Sequence, residues 1–257
     1  MVTLSTRRAS GRKRRALGQH YLRDQSVAEA MVRLAAIEEG DRVLEIGTGR
    51  GALTRLLADG PGRLEAFELD ESNYRATMDL GLDRVALHLG DAFAGPREFD
   101  VLVSSLPYSE SSTFVEWLSG HRYRRAVVLL QKDFVEKLLA EPGDGAYRAM
   151  SVVSQVSSQV RMELDVPRES FEPPPRVSSV VVTVTPREVL SQERTRLVKM
   201  LFSQRRRMLG GALRELGLGR GQLGAEWLSR RVQDLSPSDF RDLLGRIREG
   251  GAPAGTE

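Results

Sequence analysis

The chain has 257 residues, 40% hydrophobic and 28% charged, a composition typical of a soluble globular protein with one large domain and a smaller one. The absence of cysteine excludes disulfides and thiolate chemistry, and three scattered histidines argue against a histidine-based metal site. No apolar run approaches the roughly 20 residues of a membrane-spanning helix, and no apolar segment near the N-terminus resembles a secretion signal. We therefore expect a cytoplasmic protein without a membrane partner.

Residues 1–16 form a basic N-terminal arm without acidic residues. Between Arg7 and Arg15, six of nine residues are basic, although the net charge of the whole chain is only +3. Such a cluster suits contact with a polyanion such as RNA. It is equally typical of a solvated tail, and it loosely resembles an organelle transit peptide.

Beyond the arm, short apolar strands alternate with helices. Helices are predicted at Gln25–Ala36 and Ala52–Ala58, and strands at 42–46, 64–68, 85–89, 101–103 and 126–130. This alternation indicates an α/β fold with a mainly parallel sheet. In such sheets, ligands bind beyond the carboxyl ends of the strands.

The last third of the chain changes from strand to helix. A β-branched run at Val177–Thr185 follows three prolines and is closed by Pro186, where we place a domain boundary. Helices are predicted at 193–216, 225–232 and 237–247. The chain is thus divided into the arm (1–16), an α/β domain (17–186), a helical domain (187–249) and a tail (250–257) that we expect to be disordered.

A glycine-rich turn, Glu45–Gly51, follows the first of the five predicted strands. Gly47 and Gly49 allow a tight turn and a close approach of ligand to the main chain. The spacing also satisfies the dinucleotide fingerprint, with Glu68 where a ribose-binding acid belongs. A tight turn without any ligand is the plain structural alternative.

Two acidic residues shift the interpretation towards S-adenosylmethionine (SAM). Glu45, inside the strand, is unusual in a dinucleotide fold but usual in SAM-dependent methyltransferases, and Asp91 follows the third strand. Acids at two neighbouring strand ends suit a ligand that carries ribose hydroxyls and an adenine. Asp91 as a helix cap and Glu68 as a surface acid remain the simpler alternatives.

The loop Ser105-Leu106-Pro107-Tyr108 follows the fourth strand and suits methylation of an adenine amine. The lone pair of that nitrogen is delocalised into the ring, so an enzyme must accept hydrogen bonds from its N–H groups and hold the base in line with the methyl donor. Ser105 and the Leu106 carbonyl provide two acceptors, Tyr108 provides a face for stacking, and Pro107 fixes the loop.

These motifs together resemble the ribosomal RNA adenine N6-dimethyltransferase family, which modifies small-subunit rRNA, over nearly the whole chain. The resemblance is carried by Gly18-Gln19-His20-Tyr21-Leu22, the turn Glu45–Gly51, Glu68-Leu69-Asp70, Leu106-Pro107-Tyr108, Gln131-Lys132, Tyr147 with Ser151-Val152, Phe171-x-Pro173 with Arg176-Val177-x-Ser179, Phe202–Arg207 and Leu235-Ser236-Pro237. It implies a class I SAM-dependent methyltransferase fold, Rossmann-like, with a mainly parallel seven-stranded sheet and a small C-terminal helical domain that binds rRNA.

The resemblance also implies roles for individual residues. SAM contacts are expected at His20, Leu22, Gly47, Gly49, Glu68, Asp91 and Ser105, and catalytic roles at Ser105, Leu106, Pro107 and Tyr108. Arg205, Arg206 and Arg207, placed on a helix, are expected to grip RNA phosphates; an exposed helix face without RNA is the alternative. No metal is expected.

The chain departs from the family pattern at a few positions. Ser105 stands where the family usually has asparagine, and Glu110 where it prefers an apolar residue. Tyr21 for phenylalanine and Thr48 for proline are milder changes. A serine hydroxyl can accept a hydrogen bond as an asparagine carbonyl does, but with a shorter reach.

The expected function is transfer of methyl groups from SAM to two adjacent adenines in a hairpin near the 3′ end of small-subunit rRNA, by a monomer acting on a pre-30S-type particle during subunit biogenesis. The Ser105 substitution leaves open a catalytically weak or inactive RNA-binding assembly or transcription factor of the same superfamily. A nicotinamide-dependent oxidoreductase is the third alternative, and it would be indifferent to RNA.

Overall fold

The computed structural model describes residues 20–95, 97–219 and 223–246 of the chain. The basic arm (1–16) and the tail (250–257) lie outside the described residues, so the predictions for them stay predictions. None of the helices in the described ranges combines the length and apolar character that crossing a bilayer requires.

The described residues form nine strands. In chain order they are β1 (Tyr21–Leu22), β2 (Arg42–Ile46), β3 (Arg63–Glu68), β4 (Val85–Leu89), β5 (Val101–Ser105), β6 (Arg125–Gln131), β7 (Ser158–Val166), β8 (Phe171–Glu172) and β9 (Ser179–Pro186).

Ten α-helices accompany these strands within the described ranges. They are α1 (Gln25–Ala35), α2 (Ala52–Ala58), α3 (Glu71–Met78), α4 (Ser111–Ser119), α5 (Lys132–Leu139), α6 (Ala149–Ser157), α7 (Gln192–Ser203), α8 (Leu209–Glu215), α9 (Ala225–Leu228) and α10 (Pro237–Arg246). Three short 3₁₀ helices lie at Tyr108–Glu110, Arg168–Ser170 and Val232–Asp234.

Seven strands form one mixed sheet in the order β4-β3-β2-β5-β6-β9-β7. The first five are parallel, and β9 and β7 complete the sheet as antiparallel strands. The prediction of a mainly parallel, seven-stranded α/β sheet is confirmed. The strand order reverses between β2 and β5, and a ligand crevice is expected at that point, beyond the carboxyl ends of the strands.

Hydrophobic side chains cover both faces of this sheet because successive residues of a strand point to opposite sides. Leu44, Leu102 and Val128 belong to one buried cluster, whereas Val43 and Val103 belong to the cluster on the other face. Parallel strands buried on both faces need continuous apolar runs, which is why the sequence predicted them well.

A separate two-stranded sheet brings the start of the described chain to the carboxyl edge of the large sheet. In it, β1 pairs antiparallel with β8, Tyr21 opposite Glu172. The following helix, α1, is capped by Asp24, whose carboxylate accepts hydrogen bonds from the backbone N–H groups of Ser26 and Val27. Residues 20–22 are thereby fixed next to the crevice.

The last helices pack against the α/β part of the chain. Phe202 of α7 and Phe240 of α10 belong to the same buried cluster as Val152 of α6. The hydroxyl of Tyr147 donates to the backbone carbonyl of Leu235 at 2.8 Å. The domain boundary predicted at Pro186 coincides with the end of β9, and the division into domains stays a prediction.

The structure corrects two predicted helices. The single helix predicted over 193–216 is broken: α7 ends at Ser203, and the three arginines lie in a turn before α8. The backbone there pairs with a later segment, since the N–H of Leu209 donates to the Arg230 carbonyl and that of Val232 to the Arg207 carbonyl. The helix predicted over 225–232 is correspondingly short and ends at Leu228. In addition, β7 was not predicted.

Candidate active site

The main cavity of interest opens where β2 and β5 end. The space between its walls, including open solvent at the mouth, is about 500 Å³. Its lining comes from widely separated segments: His20, Tyr21, Gly47, Gly49, Glu68, Asn73, Ser105, Leu106, Pro107, Tyr108, Leu129 and Phe171. The fold therefore brings most of the predicted site residues together.

The glycine turn forms one wall of this cavity. Gly47 and Gly49 have φ values of +78° and +54°, which favour glycine over residues with a side chain. A Cβ at Gly49 would lie 3.3 Å from Cδ1 of Tyr21, so the glycine also makes room for that ring.

The carboxylate of Glu68 ties the glycine turn to the end of β3. It accepts hydrogen bonds from the backbone N–H of Gly49 at 2.9 Å and from that of Asp70 at 2.8 Å. Burial raises the pKa of Glu68, and these two hydrogen bonds act in the opposite direction. A buried carboxylate at the carboxyl end of a strand is well placed to accept hydrogen bonds from ligand hydroxyls.

Glu45 is fully buried directly behind the glycine turn. Burial raises the pKa of Glu45 to about 8, and the charge of Glu68 adds to this shift. The Thr54 hydroxyl donates a hydrogen bond to Oε1 of Glu45 at 3.1 Å, which opposes the shift. The second oxygen, Oε2, has no hydrogen-bond partner among the described residues. An unpartnered buried oxygen is costly unless a ligand or an ordered water completes its bonding.

The arrangement fits SAM. Glu45 lies in the wall of a second cavity of about 340 Å³ that shares His20, Gly47, Gly49 and Ser105 with the first and adds Leu22. The carboxylate of Glu68 can accept hydrogen bonds from ribose hydroxyls. Oε2 of Glu45, which has no partner among the described residues, can interact with a polar group of the ligand deeper in the cavity. Within the described residues no cluster of three or more acidic or histidine side chains is placed to hold a metal ion.

The loop predicted to hold the adenine forms the opposite side of the cavity. Ser105 ends β5 opposite Leu129 of β6, and Pro107 then turns the chain into the 3₁₀ helix at Tyr108–Glu110. The hydroxyl of Ser111 donates to the Tyr108 carbonyl at 2.9 Å. The loop is thus held at both ends, by the sheet and by the start of α4.

Tyr108 reaches across towards residues from other parts of the chain. Its hydroxyl lies 2.6 Å from that of Ser179, and its ring centroid lies 5.8 Å from that of His20. Burial raises the pKa of the Tyr108 hydroxyl, with the hydrogen bond to Ser179 acting against it. His20 is itself fixed, since Nδ1 lies 2.6 Å from the Pro173 carbonyl oxygen.

Asp91 is not among the residues that line the two cavities. Its side chain is exposed, and one oxygen accepts a hydrogen bond from the backbone N–H of Phe93 at 2.8 Å, as in a local cap. The role of Asp91 in binding the cofactor stays a prediction.

The three arginines predicted to bind RNA lie elsewhere, in the turn between α7 and α8. Arg206 and Arg207 are exposed and Arg205 is partly so. Arg207 forms an ion pair with Glu215 at 2.5 Å, and the Arg231 guanidinium donates to the Arg206 carbonyl. A rigid, basic turn replaces the predicted basic helix face.

Four cavity residues lie outside the predicted set: Tyr21, Asn73, Leu129 and Phe171. Tyr21 lies between two predicted residues, and Phe171 belongs to a quoted motif, so both had a local signal. Asn73 and Leu129 had none, because only the packing of α3 and β6 places them here.

Comparison with known proteins identifies the family. Residues 10–243 match the model of the family described as ribosomal RNA adenine dimethylase. The "Ribosomal RNA small subunit methyltransferase A" proteins of Caulobacter vibrioides and Syntrophotalea carbinolica are each 34% identical to the chain, covering 93% and 92% of it and 98% and 97% of their own lengths.

A solved dimethyladenosine transferase from Plasmodium falciparum shares the fold. It superposes with a TM-score of 0.73 at 24% identity, covering 89% of this chain and 99% of that one. The cavity, the glycine turn and the match over most of the sequence lead to one conclusion: the chain belongs to the ribosomal RNA adenine dimethylase family of SAM-dependent methyltransferases.

Proposed function

We propose that the chain transfers methyl groups from SAM to the N6 amine of two adjacent adenines in a hairpin near the 3′ end of small-subunit rRNA. The observation that carries the proposal is the single cavity in which the glycine turn and Glu68 face Ser105–Tyr108. The substrate is a pre-30S-type particle, on which the protein acts as a monomer in the cytoplasm during subunit biogenesis.

The glycine turn, Glu68 and Glu45 hold the cofactor, together with His20 and Leu22. When bound, SAM supplies an electrophilic methyl group on its sulfonium sulfur. The residues of this chain bind and orient the two reactants, and holding them in line removes much of the entropic barrier of a two-molecule reaction.

The target adenine must leave its base stack to reach this cavity. Tyr108 then provides an aromatic face, and stacking of a base on such a ring stabilises it by roughly 1–3 kcal/mol. Because Tyr108 borders the same cavity as Glu68, the stacked base faces the cofactor side. Pro107 keeps the loop in the extended conformation that brings the ring there.

Ser105 and the Leu106 carbonyl accept hydrogen bonds from the two N–H groups of the adenine amine. These bonds favour a pyramidal nitrogen whose lone pair points at the methyl group. SAM would supply the methyl group, and the amine nitrogen, made acidic by alkylation, would release one proton to water. A general base is therefore not required for either methyl transfer.

Incubation of the protein with radiolabelled SAM and under-methylated small subunits tests the proposal. We expect label in the rRNA, and mass spectrometry of its nucleosides should report dimethyladenosine at two adjacent positions. Tyr108→Ala should lower transfer severely and leave the SAM dissociation constant nearly unchanged. Tight binding of the subunit without any transfer would instead identify an RNA-binding assembly factor, the alternative that Ser105 in place of asparagine leaves open.

A further inference from the structure

The hydroxyl of Tyr108 is held by a residue 71 positions later in the chain. Its oxygen lies 2.6 Å from Oγ of Ser179, whose side chain is almost completely buried, with 1% of its surface exposed. A buried hydroxyl without a hydrogen-bond partner is destabilising. Each hydroxyl therefore serves as the partner that the other needs.

Ser179 is a fixed point of the fold. It begins β9 and is paired on both sides, with Gln131 of β6 and with Val166 of β7. A residue inside a sheet has a set backbone conformation, and its side chain has a set direction. Tyr108, in contrast, lies in a single turn of 3₁₀ helix, a conformation with weaker hydrogen-bond geometry.

We propose that Ser179 is a positioning residue for methyl transfer, which fixes the ring of Tyr108 in the place where the adenine stacks on it. The hydroxyl oxygen of a tyrosine moves when χ1 changes, so anchoring it restricts χ1 and with it the place that the ring occupies in the cavity. Without that anchor the ring can shift, and a small displacement of the amine from its line of attack slows the reaction. The inference rests on the proposed function, because it assigns Ser179 a role only through a stacking Tyr108.

The contact acts on the adenine side of the cavity alone. Ser179 does not line the cavity, whereas Tyr108 does. Gly49 and Glu68, which we assign to the cofactor side, are held by a hydrogen bond of their own. Loss of the Ser179 hydroxyl should therefore lower turnover and leave SAM binding intact.

A double-mutant cycle on the full chain tests the proposal. Single-turnover methylation of under-methylated small subunits is measured for Ser179→Ala, Tyr108→Phe and the double variant. Each single change should slow transfer by about 3- to 10-fold, the effect expected for one hydrogen bond. The double variant should be no slower than the slower single variant, because both changes remove the same contact. Ser178→Ala, at the exposed neighbouring position, serves as the matched control with the wild-type rate.

Three results would overturn the proposal: a wild-type rate for Ser179→Ala, effects of the two changes that multiply in the double variant, or a raised SAM dissociation constant with unchanged kcat. Melting curves of each variant give its folded fraction, and the rates are corrected for that fraction. If Ser179→Ala does not fold, Tyr108→Phe removes the same hydrogen bond from the other side, and its rate still tests the proposal. Tyr108→Ala separates the two levels of inference. If it retains full turnover, the stacking function itself is wrong; if it is inactive while Ser179→Ala is normal, only the role of Ser179 is wrong.

Discussion

The buried carboxyl of Glu45 makes the stability of the free protein depend on pH, and one substitution isolates this effect. Burial raises the pKa of Glu45 from 4.5 to about 8. Because the folded-state pKa lies above that of the unfolded chain, the folded protein retains a proton that the unfolded chain loses, and stability falls as pH rises between these values. The substitution Glu45→Gln keeps the shape of the side chain and an acceptor for the Thr54 hydroxyl, but the glutamine side chain cannot ionise.

The magnitude follows from the two pKa values. With 4.5 for the unfolded chain and about 8 for the folded protein, ionisation of Glu45 favours unfolding by roughly 1 kcal/mol at pH 5 and roughly 3 kcal/mol at pH 7. The wild-type protein should therefore lose roughly 2–3 kcal/mol of stability between pH 5 and pH 7 that the glutamine variant keeps.

Urea unfolding without cofactor at pH 5, 6, 7 and 8 measures this difference directly. We expect the free energies of unfolding of Glu45→Gln and wild type to diverge as pH rises, in favour of the variant. Glu39→Gln is the matched control at an exposed position, and its profile should run parallel to that of the wild type. A parallel profile for Glu45→Gln would refute the inference that burial keeps this carboxyl protonated.

Three further substitutions probe the other parts of the site. Ser105→Ala should lower turnover by about 3- to 10-fold, because the reacting amine loses one acceptor. Ser105→Asn should preserve or raise turnover, and an inactive asparagine variant would contradict the hydrogen-bond argument. Arg206→Ala should weaken RNA binding and reduce the slope of log affinity against log salt by about 0.7–0.9, so an unchanged slope would exclude a phosphate contact. Tyr21→Phe removes the hydroxyl that donates to Asn73 Oδ1 at 3.2 Å. Calorimetry should show that the affinity for SAM falls about threefold. A lowered kcat with unchanged SAM affinity would argue against a role of Tyr21 in binding the cofactor.

The parallel core was predictable because its signals are local. Continuous apolar runs predict strands such as β2 and β5. Gly47 and Gly49 predict the turn that follows β2. The break after Ser203 was not predictable, since arginine is a good helix former and neither glycine nor proline marks the end. The pairing of residues 207–209 with 230–232 decides that conformation, and it is a tertiary contact.

The same difference separates the two sides of the cavity. On the cofactor side, Glu68 is fixed by backbone N–H groups of Gly49 and Asp70, both within 19 residues of it, so a short motif encodes the geometry. On the adenine side, Tyr108 depends on Ser179, 71 residues away in an antiparallel strand. A motif search therefore finds the residues that touch the base, but the contact that orients its stacking partner emerges only when β9 is placed next to β6. The motif Arg176-Val177-x-Ser179 contains this serine, but its spacing does not reveal that the hydroxyl contacts Tyr108, and only the structure shows that contact.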